Sequence, residues 1–128
     1  MNKKLSRVLM IEDDQDQVLL YQTFFDFKKE FDFAICSQGQ KAITKARTLG
    51  PDLILMDLVL EDKDGLELLK EFKANPETAN IPIVVFSNKT QKGLPETLKE
   101  AGARDYWLKT EVLPHELTDK IKEILNDL

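Results

Sequence analysis

The feature that most restricts how this chain can fold is a fivefold alternation of short apolar runs with longer segments of helical spacing. The runs are Val8–Ile11, Phe31–Cys36, Leu53–Met56, Ile81–Phe86 and Tyr106–Leu108. None alternates cleanly between apolar and polar residues, which marks strands covered on both faces. Between them, Val18, Tyr21 and Phe25 recur at i, i+3, i+7, and Ala42, Ala46 and Leu49 at i, i+4, i+7. Leu66, Leu69 and Phe72 follow at three-residue steps. A weaker helical segment spans Leu94–Glu100, where Pro95 is tolerated only near the start. The last places Leu117, Ile121, Ile124 and Leu128 on one stripe behind Pro114, a residue suited to a first helical turn. Gly50-Pro51, Asn75-Pro76 and Ala101-Gly102 punctuate the helix ends. Such repetition requires a parallel sheet with helices on both faces. The expected fold is α/β, a doubly wound five-stranded parallel sheet with five helices, in one domain.

Charge then narrows the function classes. Eighteen Lys and Arg against 23 Asp and Glu leave −5, with no basic run. Direct contact with nucleic acid or an anionic membrane is therefore not expected. No apolar run approaches the ~18 residues of a membrane span. The apolar stretch after the basic N-terminus ends at Glu12-Asp13-Asp14, so it does not read as a signal peptide. The lone Cys36 cannot form an intramolecular disulfide and fits a reducing, cytoplasmic setting.

In a doubly wound sheet, ligands bind at the carboxyl ends of the strands. Glu12, Asp13 and Asp14 follow the first apolar run, Asp57 the third, Ser87-Asn88 the fourth and Lys109-Thr110 the fifth. Carboxylates gathered at one edge repel unless a cation shares the site. An oxygen-only donor set favours a hard ion such as Mg²⁺. An Asp set between apolar residues can act as nucleophile toward a phosphoryl group. That transfer needs charge neutralisation and positioning, for which Lys109 and Ser87 supply an ammonium and a hydroxyl.

Beyond these residues, the chain resembles the receiver domain of two-component response regulators, including stand-alone chemotaxis-type members. The resemblance runs through the acids after Val8–Ile11, through Pro51–Asp57, Asp64–Leu69 and Ile81–Ser87, and through Ala101–Lys109. It implies a flavodoxin-like sheet in the order 2-1-3-4-5. It implies Asp57 as phosphoacceptor, Asp13 as direct Mg²⁺ ligand, Glu12 as a neighbour acting through water, and Val59 contributing its backbone carbonyl to the metal. Ser87 and Tyr106 would form the switch, and Lys109 would pair with the phosphoryl group. The implied donor is a sensor histidine kinase or phosphotransfer protein. The implied output surface is the face of the fourth helix, fifth strand and fifth helix. Residues 1–128 read as a receiver domain with no output domain in this chain, a regulatory phosphoacceptor rather than an enzyme.

Three departures from the family pattern matter. Thr110 replaces the usual proline after the lysine; a cis bond to a non-proline costs about 2.5–4 kcal/mol, so a trans peptide is expected. Glu61 replaces another proline, in an acidic stretch with Asp62 and Asp64. Val59 and Lys89 occupy positions that tune phosphoryl lifetime, and an apolar Val59 implies slow self-dephosphorylation.

Other residues read plainly. Asp14 or Gln15 should cap the first helix, with Asp16 solvated beside it. Trp107 should pack in the core, His115 should be exposed, and Cys36 should be a small buried hydrophobe. Among rival functions, a haloacid-dehalogenase-type phosphatase would want a second Asp where Val59 stands. A dinucleotide binder would need a Gly-rich first turn, not an acidic one. The remaining alternative is a receiver-like interaction module that signals without phosphorylation.

Overall fold

The computed structural model describes residues 4–128. The elements are β1 (Arg7–Ile11), α1 (Gln15–Lys28), β2 (Asp32–Cys36), α2 (Ala42–Leu49), β3 (Leu53–Met56), α3 (Gly65–Ala74), β4 (Ile83–Ser87), α4 (Leu94–Glu100), β5 (Asp105–Leu108) and α5 (Pro114–Asn126). Short 3₁₀ turns at Gly39–Lys41 and Lys109–Glu111 precede α2 and follow β5. The strands pair in parallel in the order β2-β1-β3-β4-β5. The chain winds outward from β1 to β2, then returns to its other side at β3. The strand order therefore reverses beside β1, where a crevice opens at the carboxyl edge.

Burial explains the unbroken apolar runs. In β3 every residue from Leu53 to Met56 is fully buried. Successive side chains point to opposite faces. Leu53 and Leu55 join Tyr21, Phe25, Leu117 and Ile121 of α1 and α5. Ile54 and Met56 join Ala46, Leu69, Phe72 and Leu98 of α2, α3 and α4. Two apolar layers thus clamp the sheet, and both need the same strand to be apolar throughout.

Several boundaries differ from the sequence reading. β4 begins at Ile83 because Pro82 has no N–H to give; its carbonyl accepts from Ile54 N at 3.0 Å, while Ile81 N turns back to Thr78 O at 3.1 Å. β2 begins at Asp32, one residue later, and β1 and β5 begin one residue earlier, at Arg7 and Asp105. Leu128 lies beyond the end of α5 and is exposed, so the stripe closes at Ile124. Helix α1 is apolar around most of its circumference. Tyr21 and Phe25 face the core, whereas Leu19, Leu20 and Phe27 face outward.

Two contacts position the loops that matter. Asp64 caps α3, its carboxylate accepting from Leu66 N, and Gly65 N donates to Leu58 O at 3.2 Å. A Cβ on Gly65 would sit 2.4 Å from Leu58 Cα, so the segment after Asp57 can fold back onto α3 only over glycine. At the opposite edge, Lys73 donates to the carbonyls of Ala79 and Ile81 at 3.2 and 2.7 Å. It thereby ties the end of α3 to the approach of β4. Gly65→Ala should lower stability by about 1–3 kcal/mol, the usual cost of overpacking a close contact. A shift of the urea midpoint checks this, and an unchanged midpoint would contradict the close approach.

Candidate functional site

Parallel strands in matched register release their next residues at one edge. Ile11 pairs with Met56, and Ser87 with Leu108. Glu12 and Asp57 therefore emerge side by side, and Lys109 emerges next to Ser87. Backbone bonds hold this start of the loops: Glu12 N donates to Cys36 O and Asp57 N to Ile11 O, both at 3.1 Å.

At the centre stands the Lys109 ammonium. It donates to Asp57 Oδ2 at 2.7 Å and also to Glu12 Oε1 and Gln17 Oε1. All three ammonium hydrogens thus have acceptors. The side chains of Lys109, Glu12 and Asp57 are only 7%, 2% and 9% exposed. The second oxygen of Asp57 receives the Ser87 hydroxyl at 2.7 Å and Val59 N–H at 3.1 Å. The second oxygen of Glu12 receives Asp14 N–H at 3.1 Å.

The two carboxyls sharing this lysine are pushed in opposite directions. Burial raises the Glu12 pKa, and the bond and charge of Lys109 do not fully offset it. Burial acts on Asp57 in the same sense, but the hydrogen bonds from Lys109 and Ser87 outweigh it and leave its pKa below the usual value. The asymmetry follows from partners: Asp57 has a hydroxyl and a second N–H where Glu12 has only one further N–H. Nearby, burial and then the charges of Glu12 and Asp57 push the Tyr21 phenol up to about 12.

The remaining acids divide into structural and open positions. Asp14 caps α1, accepting from Gln17 N at 3.0 Å. Asp62 accepts from Gly39 N and Gln40 N, which ties the acidic loop to the turn before α2. Asp13 is half-buried and accepts Glu61 N–H at 2.7 Å. Among the described residues, no three His, Cys, Asp or Glu side chains are gathered in a geometry ready to hold a metal. Lys109 stands between Glu12 and Asp57, and Asp13 is turned to the Glu61 amide. Glu12, Asp13, Asp57 and Val59 nevertheless line one recess. They present oxygen donors only, so the donor chemistry fits a hard divalent cation.

Away from the lysine, the Tyr106 hydroxyl donates to the carbonyl of Lys89, and Lys89 N donates to Ser87 Oγ at 3.3 Å. A continuous hydrogen-bonded path therefore runs from Asp57 through Ser87 and Lys89 to Tyr106. The Lys109–Thr110 peptide is trans. Thr110 N donates to Asn88 Oδ1 at 2.9 Å, a bond that proline could not make. Trp107 is buried, with its indole N–H on Asp105 at 3.0 Å, Cys36 is buried, and His115 is exposed on α5.

Comparison with known proteins settles the lineage. The family model described as the response regulator receiver domain matches residues 8–122. This chain belongs to that family. It is 32% identical over 125 residues to the alkaline phosphatase synthesis transcriptional regulatory protein PhoP of Bacillus subtilis, covering 98% of this chain and 49% of that protein. The receiver thus spans about half the length of PhoP. It is 29% identical over 120 residues to the polar-differentiation response regulator DivK of Brucella ovis, covering 94% of this chain and 96% of that one. The BeF3-activated N-terminal receiver domain of Klebsiella pneumoniae RstA superimposes with a TM-score of 0.82 at 27% identity, over 94% of this chain and 98% of that chain.

Sequence order puts Glu12, Asp13, Asp57, Ser87 and Lys109 at one edge and the resemblance adds Val59; all six line one recess in the structure. Gln17 and the capping work of Asp62 were not singled out, and Asn88 was named at the edge without a partner. Gln17 carried a readable signal, since the third residue of a helix beginning just after Glu12 faces back toward that strand end.

Because the folded-state pKa of Glu12 is raised, its ionisation opposes folding at neutral pH. The stability it contributes is complete below its ordinary value of 4.5 and is lost as pH rises through the raised value. Glu12→Gln should therefore melt above wild type at pH 7, and that gap should close on acidification below about 4.5. Scanning calorimetry across this range checks the sign; a gap that widens toward acid would contradict it.

Proposed function

We propose that this receiver domain is a phosphorylation-dependent switch that takes a phosphoryl group on Asp57 from a sensor histidine kinase or phosphotransfer protein. The observation carrying the reading is the convergence of Lys109 and Ser87 on the two oxygens of one buried carboxylate, Asp57. Cation and hydroxyl donor each lie within hydrogen-bond reach of the nucleophile, as phosphoryl transfer demands. The BeF3-activated state of RstA, a relative of the same fold, supports the same chemistry.

In this reading an Asp57 oxygen attacks phosphorus. The new P–O bond forms as the donor's P–N or P–O bond breaks, and the donor leaves with the electron pair. The depressed pKa keeps Asp57 ionised and nucleophilic at neutral pH. Lys109 stays beside the transferred group and neutralises its oxygens. Ser87 turns its hydroxyl from the carboxylate to a phosphoryl oxygen. Glu12, Asp13, Asp57 and the Val59 carbonyl would hold Mg²⁺, which when bound screens the charge on the phosphoryl oxygens.

The readout passes along the Ser87–Lys89–Tyr106 path. Movement of the Ser87 hydroxyl changes what holds Lys89 N–H, and Lys89 O in turn holds Tyr106. Tyr106 lies on β5 beside α4, so the shift reaches the α4–β5–α5 face, the surface assigned here to the downstream partner. The role is regulatory: the chain assists its own phosphorylation and its slow loss. Among the described residues no helix is long and apolar enough to cross a membrane.

Incubation with acetyl phosphate and Mg²⁺ should add one phosphoryl group by intact mass, absent in Asp57→Asn. No adduct from acetyl phosphate or from a histidine-phosphorylated donor would overturn the assignment and leave the non-phosphorylated interaction module. Val59 is 62% exposed at the recess and carries no group to orient water. Val59→Asn should therefore hasten phosphoryl loss several-fold, read as the decay of the mass adduct; an unchanged rate would refute the role of that position.

A further inference from the structure

Lys109 finds three acceptors, and they differ in kind. Glu12 and Asp57 are carboxylates, whereas the third is the neutral side-chain carbonyl of Gln17. On the reading above, Asp57 changes charge and shape when it takes the phosphoryl group, and Glu12 is drawn toward the metal. Gln17 is the one acceptor that is neither modified nor drawn toward the metal in that reading.

Its backbone is anchored independently of the lysine. Gln17 N donates to the Asp14 cap at 3.0 Å in the first turn of α1, directly after the acids of β1. One turn further along the helix, Tyr21 packs edge-on against Phe86, with ring centroids 5.7 Å apart. Lys109 Nζ lies 5.9 Å from the centre of the same Phe86 ring. The start of α1 and the Phe86 ring thus both border the ammonium, alongside the two carboxylates. An apolar residue at 17 would leave one ammonium hydrogen without a partner in a nearly dry site. A third carboxylate there would add to the repulsion already felt by Glu12.

We propose that Gln17 is a positioning residue: a neutral third acceptor that keeps the Lys109 ammonium in place while Asp57 is being modified. The proposal rests on the phosphoacceptor reading for its role in rate, but the hold on Lys109 can be measured without it.

The test compares wild type with Gln17→Met, similar in length and helix preference but lacking an amide oxygen, and with Gln17→Glu, which keeps an acceptor. With acetyl phosphate and Mg²⁺, Gln17→Met should be phosphorylated roughly 3- to 10-fold more slowly, the effect of one ordinary net hydrogen bond. Independently, brief acetylation with acetic anhydride, mapped by peptide mass spectrometry, should modify Lys109 several-fold faster in Gln17→Met. Lys89 and Lys120 should be unaffected, and Gln17→Glu should keep Lys109 protected. Equal phosphorylation rates, an unchanged Lys109 reactivity, or a uniform rise across all lysines would each overturn the proposal. If wild type takes no phosphoryl group, the phosphoacceptor reading fails while the acetylation pattern still decides the hold of Gln17 on Lys109.

Discussion

The structure depends on one buried cation. Lys109 brings an ammonium to a sheet edge where Glu12 and Asp57 would otherwise face each other with their charges unpaired. Removing water from such carboxylates costs several kcal/mol per ion unless a partner of opposite charge is held close. The parallel register of β1, β3 and β5 delivers all three groups to that point, and the apolar layers on both faces keep water out. The fold and the site are thus linked by one requirement: the sheet can end in buried acids only because its last strand ends in a lysine.

That arrangement is a balance rather than a deep well. Asp57 gains a hydroxyl and a second N–H and is held ionised, while Glu12 remains partly strained by its burial. A site in which one carboxylate is content and its neighbour is not will respond to any new charge. A phosphoryl group on Asp57 or a cation beside Glu12 must redistribute the bonds of Lys109 and Ser87. Hydrogen bonds run unbroken from Asp57 through Ser87 and Lys89 to Tyr106 on β5, and this is the route the proposed switch would use. Asn88 and Thr110 tie together the loops that follow β4 and β5.

Much of this was legible in the residues. The apolar runs located every strand to within two positions, and the residues just after them named the groups at the edge. The boundary at Ile83 was missed because Pro82 removes a backbone donor, an effect local to one residue and invisible to periodicity. Helix α1 was read from Val18, Tyr21 and Phe25, yet Leu19, Leu20 and Phe27 blur its stripe, since outward apolar residues obey no core constraint. The partners within the site were harder to foresee. Nothing in the spacing says that Asp13 turns to the Glu61 amide or that Asp62 holds the turn at Gly39; for Gln17 the helix start indicates a direction but not Lys109 as its partner. These are side-chain choices among several acceptors, settled by packing that only the assembled fold supplies.

The central claim is that Asp57, Ser87 and Lys109 act as one unit on a phosphoryl group and report to Tyr106. The most direct measurement is an amide and side-chain NMR titration with beryllofluoride and Mg²⁺, the former standing in for the phosphoryl group. Shifts should begin at Asp57, Val59, Ser87 and Lys109, continue through Lys89 to Tyr106, and vanish in Asp57→Asn. Shifts confined to Glu12 and Asp13, with Ser87 and Tyr106 unmoved, would mean that the edge binds cation without switching and would contradict the account.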